Sequence, residues 1–303
     1  MSNETWFYDR RQGALRQEII LGDTMLRLAY LSPCRGLLRW PLFGSSFCSR
    51  MLGWFADRGF SRFKIAATAK QLDIDMDEVV LPTGGFRTFN EFFCRHLKPS
   101  ARPLDSDQHR LLSPADCRCL VYPELNHDSC IPVKGASFSV SELLGTAGEE
   151  YASRFQNGSL AVFRLCPADY HRYHFPASGR LLRNWRLRGK YHSVHPLALA
   201  TKIRVFSENL REVSMLDLDD GGLAAFIEVG AFGVASICQT FAGQDFLRGQ
   251  EKGYFAFGGS TIIVILEPGR WHFDADLLTK SAEGCECLLR MGEGIATMSG
   301  DDR

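Results

Sequence analysis

The sequence predicts an α+β protein in which N-terminal amphipathic helices are followed by a β-rich core of antiparallel or mixed sheet. Two textures carry that expectation. Between Gly13 and Lys70 apolar residues recur at helical spacing, as in Leu37, Leu38, Trp40, Leu42 and Phe43, then Met51, Leu52, Trp54 and Phe55. From Ser159 onward the chain turns to short runs rich in Val, Ile, Phe and Tyr, broken by Gly or Pro. No βαβ alternation, long repeat or low-complexity tract is visible, which leaves α+β as the architecture. With 45% hydrophobic and 23% charged residues over 303 positions, the chain can bury a sizeable core and is not disordered.

The elements follow in order. Arg35, Arg39, Arg50, Arg58 and Arg62 are interspersed among the N-terminal apolar residues, and two or three amphipathic helices are expected there. They fit either a helical cap packed on the core or an interfacial membrane anchor with its basic groups toward anionic lipid. Next, Thr88-Phe89-Asn90-Glu91 has capping-box spacing ahead of Phe92 and Phe93, and a short helix to about Leu97 is expected, ended by Pro99. Ser139-Val140-Ser141-Glu142 repeats the pattern ahead of Leu143 and Leu144. Strands are expected at 160–166, 224–229, 234–240, 261–266 and 271–273. The expected division is a helical, membrane-associating region at 1–100 and a β-rich core at 101–303.

Charge and cysteine usage narrow the class. Lys and Arg together number 35, as do Asp and Glu, so no basic excess marks a nucleic-acid binder. That balance hides a division, because residues 1–70 hold eleven Lys or Arg against five Asp or Glu. No apolar run reaches the length of a spanning helix, and the polar start MSNETWFYDRRQ lacks a signal peptide's apolar stretch, so the mature chain is expected to begin near Met1. Ten scattered cysteines suit buried thiols in a reducing cytoplasm. The pairs Cys117-x-Cys119 and Cys285-x-Cys287 lack the usual zinc spacing, and a period of two puts both thiols on one strand face, so no metal is expected.

Three segments could carry chemistry. The stretch Arg164–Pro176 gathers Asp169, Tyr170, His171, Arg172, Tyr173 and His174 directly after a strand-like run, and histidine titrates near neutral pH. A surface loop with locally bonded histidines is the plainer alternative. The stretch Phe257-Gly258-Gly259-Ser260-Thr261 precedes an apolar run; it reads as a hairpin turn or as a nucleophile presented on a strained turn, and it does not match the Gly-x-Ser-x-Gly elbow. In Ser113-Pro114-Ala115-Asp116, the aspartate could cap the turn or orient a histidine. Spacing does not show whether Asp116, His174 and Ser260 meet.

Taken together these segments resemble the phosphatidylserine decarboxylase proenzyme family. The ordered set runs through Phe89-Asn90-Glu91-Phe92-Phe93, Leu97-Lys98-Pro99-x-Ala101-Arg102-Pro103, Ser113-Pro114-Ala115-Asp116 and Val133-Lys134-Gly135. It continues with Asp169-Tyr170-His171-Arg172-x-His174-x-Pro176, Val194-His195-Pro196, Asn209-x-Arg211-Glu212, Glu228-Val229-Gly230-Ala231 and Lys252-Gly253-Tyr254-Phe255-x-Phe257-Gly258-Gly259-Ser260-Thr261. It covers about residues 85–300. Two departures stand out: Cys117 follows Asp116 where the family has glycine, and Phe232-Gly233 replace a small polar pair, a change that bears on head-group selectivity.

The resemblance implies a pyruvoyl-dependent decarboxylation of phosphatidylserine to phosphatidylethanolamine and CO2. It also implies that the serine at Ser260 attacks the carbonyl of Gly259, that the chain splits into a large β chain, 1–259, and a small α chain, 260–303, and that Ser260 becomes a covalent pyruvoyl group. Asp116, His174 and Ser260 correspond to the family's charge-relay set for self-cleavage, and His171 to its candidate proton donor. The pyruvoyl carbonyl then forms a Schiff base with the substrate amine and accepts the electrons left by CO2. The expected partners are phosphatidylserine in a bilayer and the protein's own two cleavage products as a heterodimer, with further dimerisation open, at the cytoplasmic side of the cell membrane as a peripheral protein. Two other readings remain: a pyruvoyl decarboxylase of a free aromatic amino acid, and an inactive membrane-surface binding member.

Overall fold

The computed structural model describes residues 5–18, 46–125, 131–133, 136–194, 204–219, 221–231, 237–258 and 260–300. The apolar run at 37–43 with Arg35 and Arg39, together with Lys134-Gly135, His195-Pro196, Phe232-Gly233 and Gly259, lies outside the described residues.

A ten-stranded sheet organises the chain. Its order is Asp245–Phe246, Gly179–Leu187, Arg211–Leu218, Gly222–Gly230, Ser260–Leu266, Ser159–Leu165, Cys117–Tyr122, Glu286–Leu289, Trp6–Asp9 and Ala14–Gln17. All neighbours are antiparallel except Trp6–Asp9, which runs parallel to Glu286–Leu289. The β-branched run Ser260-Thr-Ile-Ile-Val-Ile-Leu266 is buried at every position, as a central strand covered on both faces must be.

Because side chains alternate along a strand, this sheet builds two cores. Ile262, Val264 and Leu266 share one with Phe163, Leu165, Phe226, Cys117 and Cys119, and Ile263 and Ile265 share the other with Val162, Ile227 and Leu160. Tyr173, Phe175 and Phe255 belong to the first core. They come from or adjoin a three-stranded sheet, Ile237–Gln239, Glu251–Phe255 and Arg172–His174, which thus covers the face that carries Ser260. Cys117 and Cys119 are core residues, and Cys119 stands in register with Cys287.

The N-terminal region is helical over Ser46–Ala56, Gly59–Lys64 and Ile65–Gln71. Ahead of these helices, inside the region 1–100 expected to be helical, Trp6–Asp9 and Ala14–Gln17 form a hairpin at the sheet edge. The run Trp6-Phe7-Tyr8-Asp9 alternates outward and inward, Asp9 accepts the main-chain N–H groups of Arg11 and Gln12, and Gly13 at φ +64° closes the turn. The helix after Thr88 is also shorter than expected, Phe89–Phe93. Thr88 caps it by accepting the Glu91 N–H, but Val80 donates to the His96 carbonyl and Val79 bridges Leu97, which pulls the chain into extended form before Pro99. At Ser139 the full capping box forms.

Candidate active site

Ser260 opens the central strand in register with Gly230 on one side and Leu165 on the other. Its side chain is fully buried, and among the described residues Oγ has no hydrogen-bond partner. A buried hydroxyl normally finds a partner, so an orphaned one at a strand entrance calls for an explanation. Two residues upstream, Gly258 adopts φ +142°, a conformation that only glycine takes readily.

Both expected histidines belong to the segment that forms or adjoins the strand Arg172–His174 of the covering sheet. His174 is the last residue of Arg172–His174, in register with Glu251, and its main-chain N–H donates to the Pro114 carbonyl at 2.8 Å. Its Nδ1 has no partner. Burial pushes its pKa down to about 4, against the opposing pull of Glu251 and, more weakly, Asp116. His171 is wholly buried, its Nδ1 lies 2.9 Å from the Asp169 carbonyl oxygen, and its Nε2 is unpartnered. Burial lowers it to about 3, and the nearby Arg95 adds to the shift. In both, burial favours the neutral ring.

Asp116 sits apart from this pair in its bonding. Its carboxylate takes a forked pair from Arg102, with Nε at 2.8 Å and Nη2 at 2.6 Å, and the Met291 N–H at 2.9 Å. Among the described residues it makes no hydrogen bond to His174. The two are linked instead by charge and through the main chain, since Pro114, the acceptor for His174, lies two residues before Asp116.

The helix expected after Thr88 makes contacts that its motif does not announce. The short helix Phe89–Phe93 grips the chain shortly before Ser260: Phe257 packs edge-on against Phe89 and Phe93 with centroids 5.0 and 5.1 Å apart, and its N–H donates to Asn90 Oδ1 at 2.9 Å. Phe93 also covers His171 at 3.9 Å. The Cys94 thiol donates to the Phe255 carbonyl at 3.3 Å, and the Phe255 N–H donates to the His171 carbonyl at 2.9 Å. Arg95, 4% exposed, donates to the Ala168 and Asp169 carbonyls and leaves Nε and Nη1 without partners. The capping signal at Thr88 revealed the helix, but nothing in the sequence told what the helix would hold.

The geometry fits a covalent group derived from Ser260. Ser260 Oγ, His174 Nδ1 and His171 Nε2 are buried polar atoms without hydrogen-bond partners among the described residues, and Phe93 packs on both the His171 and Phe257 rings.

Comparison with known proteins points the same way. The family model described as phosphatidylserine decarboxylase matches residues 89–297. The phosphatidylserine decarboxylase proenzyme of Desulfitobacterium hafniense is 39% identical over 95% of this chain and 97% of its own length. That of Clostridium beijerinckii is 38% identical over 96% and 98%, and that of Chlamydia trachomatis 36% over 97% of each. A family model matched over more than half of the chain and this similarity over nearly its full length agree: the chain belongs to the phosphatidylserine decarboxylase family.

Proposed function

We propose that the chain is a proenzyme that cleaves itself between Gly259 and Ser260, carries a pyruvoyl group on the new 260–303 chain, and decarboxylates phosphatidylserine to phosphatidylethanolamine and CO2. The single observation that carries this reading is Ser260, a buried hydroxyl with no partner at the mouth of a central strand. Serine is a weak nucleophile until a base takes its proton, and the neutral, buried His174 is suited to do so. In this set Asp116, held by Arg102, acts through its charge by favouring the imidazolium that forms.

The cleavage balances without an outside reagent other than water. Ser260 Oγ displaces its own nitrogen from the Gly259 carbonyl, giving an ester. Loss of the Ser260 α-proton then expels the carboxylate of 1–259, and water releases the nitrogen as ammonia. The pyruvoyl carbonyl supplies an electron sink for the pair left when CO2 departs. His171 handles the proton. Its ring rests neutral, so the proton arrives with the substrate, whose ammonium can give one up. The head group's negative charges favour a protonated imidazole beside them, and Nε2 returns the proton to the α-carbon.

The cleaved halves are expected to stay together as a heterodimer, because Ser260–Leu266 lies between Gly222–Gly230 and Ser159–Leu165. A lipid substrate is favoured over a free amino acid by the helical region. Met51, Trp54, Phe60 and Phe63 are 50–69% exposed. Arg58 stands 4.9 Å over the Trp54 ring and Lys64 5.0 Å over Phe55. Exposed aromatics interleaved with cations suit the interface of an anionic membrane. Among the described residues no helix is long and apolar enough to cross a bilayer, so a peripheral association, at the cytoplasmic face, is the form proposed.

Mass spectrometry of the denatured protein tests the reading. It should show 1–259 and 260–303, the latter with a borohydride-reducible terminal carbonyl, and the preparation should release CO2 from phosphatidylserine vesicles but not from free serine or aromatic amino acids. An intact folded chain with an unmodified Ser260 would overturn it.

A further inference from the structure

The turn that carries His171 is tied down from the other face of the sheet. Arg118 and Arg164 stand in register on adjacent strands, and Arg164 is in register with Thr261, whose side chain points away from the face of Ser260. Both guanidiniums are buried and share three buried carboxylates. Glu18 accepts from Arg164 at 3.1 Å and lies 3.5 Å from Arg118, while Glu286 accepts from Arg164 at 2.6 Å. The third, Asp169, receives Arg118 Nη1 on both oxygens, at 2.5 Å on Oδ2, and that same Oδ2 accepts the Cys166 N–H at 2.6 Å. The Asp169 N–H donates back to the Cys166 carbonyl at 2.9 Å.

Asp169 thus has its side chain locked into this network while its own carbonyl turns to the catalytic side. There the carbonyl oxygen meets His171 Nδ1 at 2.9 Å and accepts from Arg95 Nη2 at 3.2 Å. A carbonyl can only accept, so the hydrogen of the neutral ring is on Nδ1 and the lone pair is on Nε2, the atom left without a partner. The direction of one peptide carbonyl therefore decides which nitrogen is available to the substrate.

We propose that Arg118 is a positioning residue for His171: by clamping the Asp169 carboxylate it aims the Asp169 carbonyl, and so fixes the tautomer and orientation of the imidazole. Arg118 is the second residue of the strand Cys117–Tyr122, between two core cysteines, and none of the residues by which the chain resembles its family includes it. This inference rests on the reading of His171 as the proton-handling group.

The test has one arm that does not depend on activity. In the uncleaved Ser260→Ala chain, nitrogen NMR of the histidine rings should show His171 as the Nδ1–H tautomer. Adding Arg118→Leu should give a mixture of tautomers, and Arg118→Lys, which keeps the charge and a single donor nitrogen on a differently shaped side chain, should restore part of the original signal. In the processed enzyme, Arg118→Leu should lower kcat about tenfold or more while KM and the extent of cleavage stay near those of the parent, with Arg118→Lys between. If Arg118→Leu does not fold, Asp169→Asn, which keeps the volume and the carbonyl but weakens the ion pair, takes its place with the same expected shifts. An unchanged His171 tautomer and unchanged kcat in a folded variant overturn the proposal. A His171→Ala control separates the two ideas. Full decarboxylation by His171→Ala would defeat the proton-handling reading, whereas an inactive His171→Ala beside fully active Arg118→Lys and Asp169→Asn would defeat the role of Arg118 alone.

Discussion

Asn90 holds Phe257 by the main chain: the Phe257 N–H donates to Asn90 Oδ1 at 2.9 Å, while Asn90 Nδ2 donates to Asp57 Oδ1 at 2.7 Å. One side chain therefore joins the helical region to the peptide three residues before Ser260. With Phe89 and Phe93 packed on the Phe257 ring, the turn that must present Ser260 is gripped from outside the sheet.

Removing that grip should slow self-cleavage. A single hydrogen bond contributes about 1 kcal/mol, so Asn90→Ala should reduce the cleavage rate by roughly fivefold to tenfold. Gel analysis of the fraction cleaved after synthesis measures this. A time course matching the parent would mean that the Phe257 amide needs no anchor.

The histidines give a pH dependence with a definite sign. His171 at about 3 and His174 at about 4 both lie below the ordinary 6.5, so at mildly acid pH the unfolded chain binds protons that the folded chain refuses. Their contribution to stability is complete above pH 6.5 and is lost as the pH falls toward 4 and then 3. Thermal melts of the uncleaved Ser260→Ala chain should show Tm falling below pH 6.5. The fall should be shallower when His171→Gln is added, and equal slopes would contradict the burial effect.

A buried ion pair near the same strands should behave asymmetrically. Lys252 Nζ meets Glu228 Oε1 at 2.5 Å with both side chains at most 2% exposed, and Gln239 accepts from Lys252 at 2.9 Å. Lys252→Met strands a buried carboxylate and should cost about 3–5 kcal/mol, whereas Lys252→Met with Glu228→Leu should recover most of it. Urea denaturation of the two variants decides; equal losses would show that the pair is dispensable as a pair.

The exposed aromatics make a prediction about membranes. Trp54 is 50% and Phe63 69% exposed, so replacing both with Ser should leave the fold intact. Each half-buried aromatic contributes about 1–2 kcal/mol on insertion, and binding to anionic vesicles should weaken by roughly tenfold or more. Vesicle co-sedimentation measures it, and unaltered partition would move the lipid contact elsewhere on the molecule.

How far the sequence could be read differs from element to element. The run Thr261–Leu266 announced its strand because β-branched residues in series suit a covered sheet, and Ser139 announced its helix through a cap built from residues three apart. The strand Arg211–Leu218 and the hairpin at 6–17 went unread. Arg211–Leu218 carries charged or polar residues at four of eight positions, and the hairpin's apolar run is only three residues long. Neither resembles a short apolar run bounded by turns.

By itself the sequence determined the α+β class, helices in the N-terminal part, and an ordered motif set naming Asp116, His171, His174 and Ser260. Those signals are local, since caps, periodicity and motif spacing depend on residues a few positions apart. Only the tertiary structure decided that Asp116 is held by Arg102 and by Met291, 175 residues away, that Phe257 is clamped by Asn90, 167 residues away, and that Asp169 links Arg118 to His171 across the sheet. Such partners depend on strand order and register, which are set by the burial of both sheet faces at once and are written in no single segment.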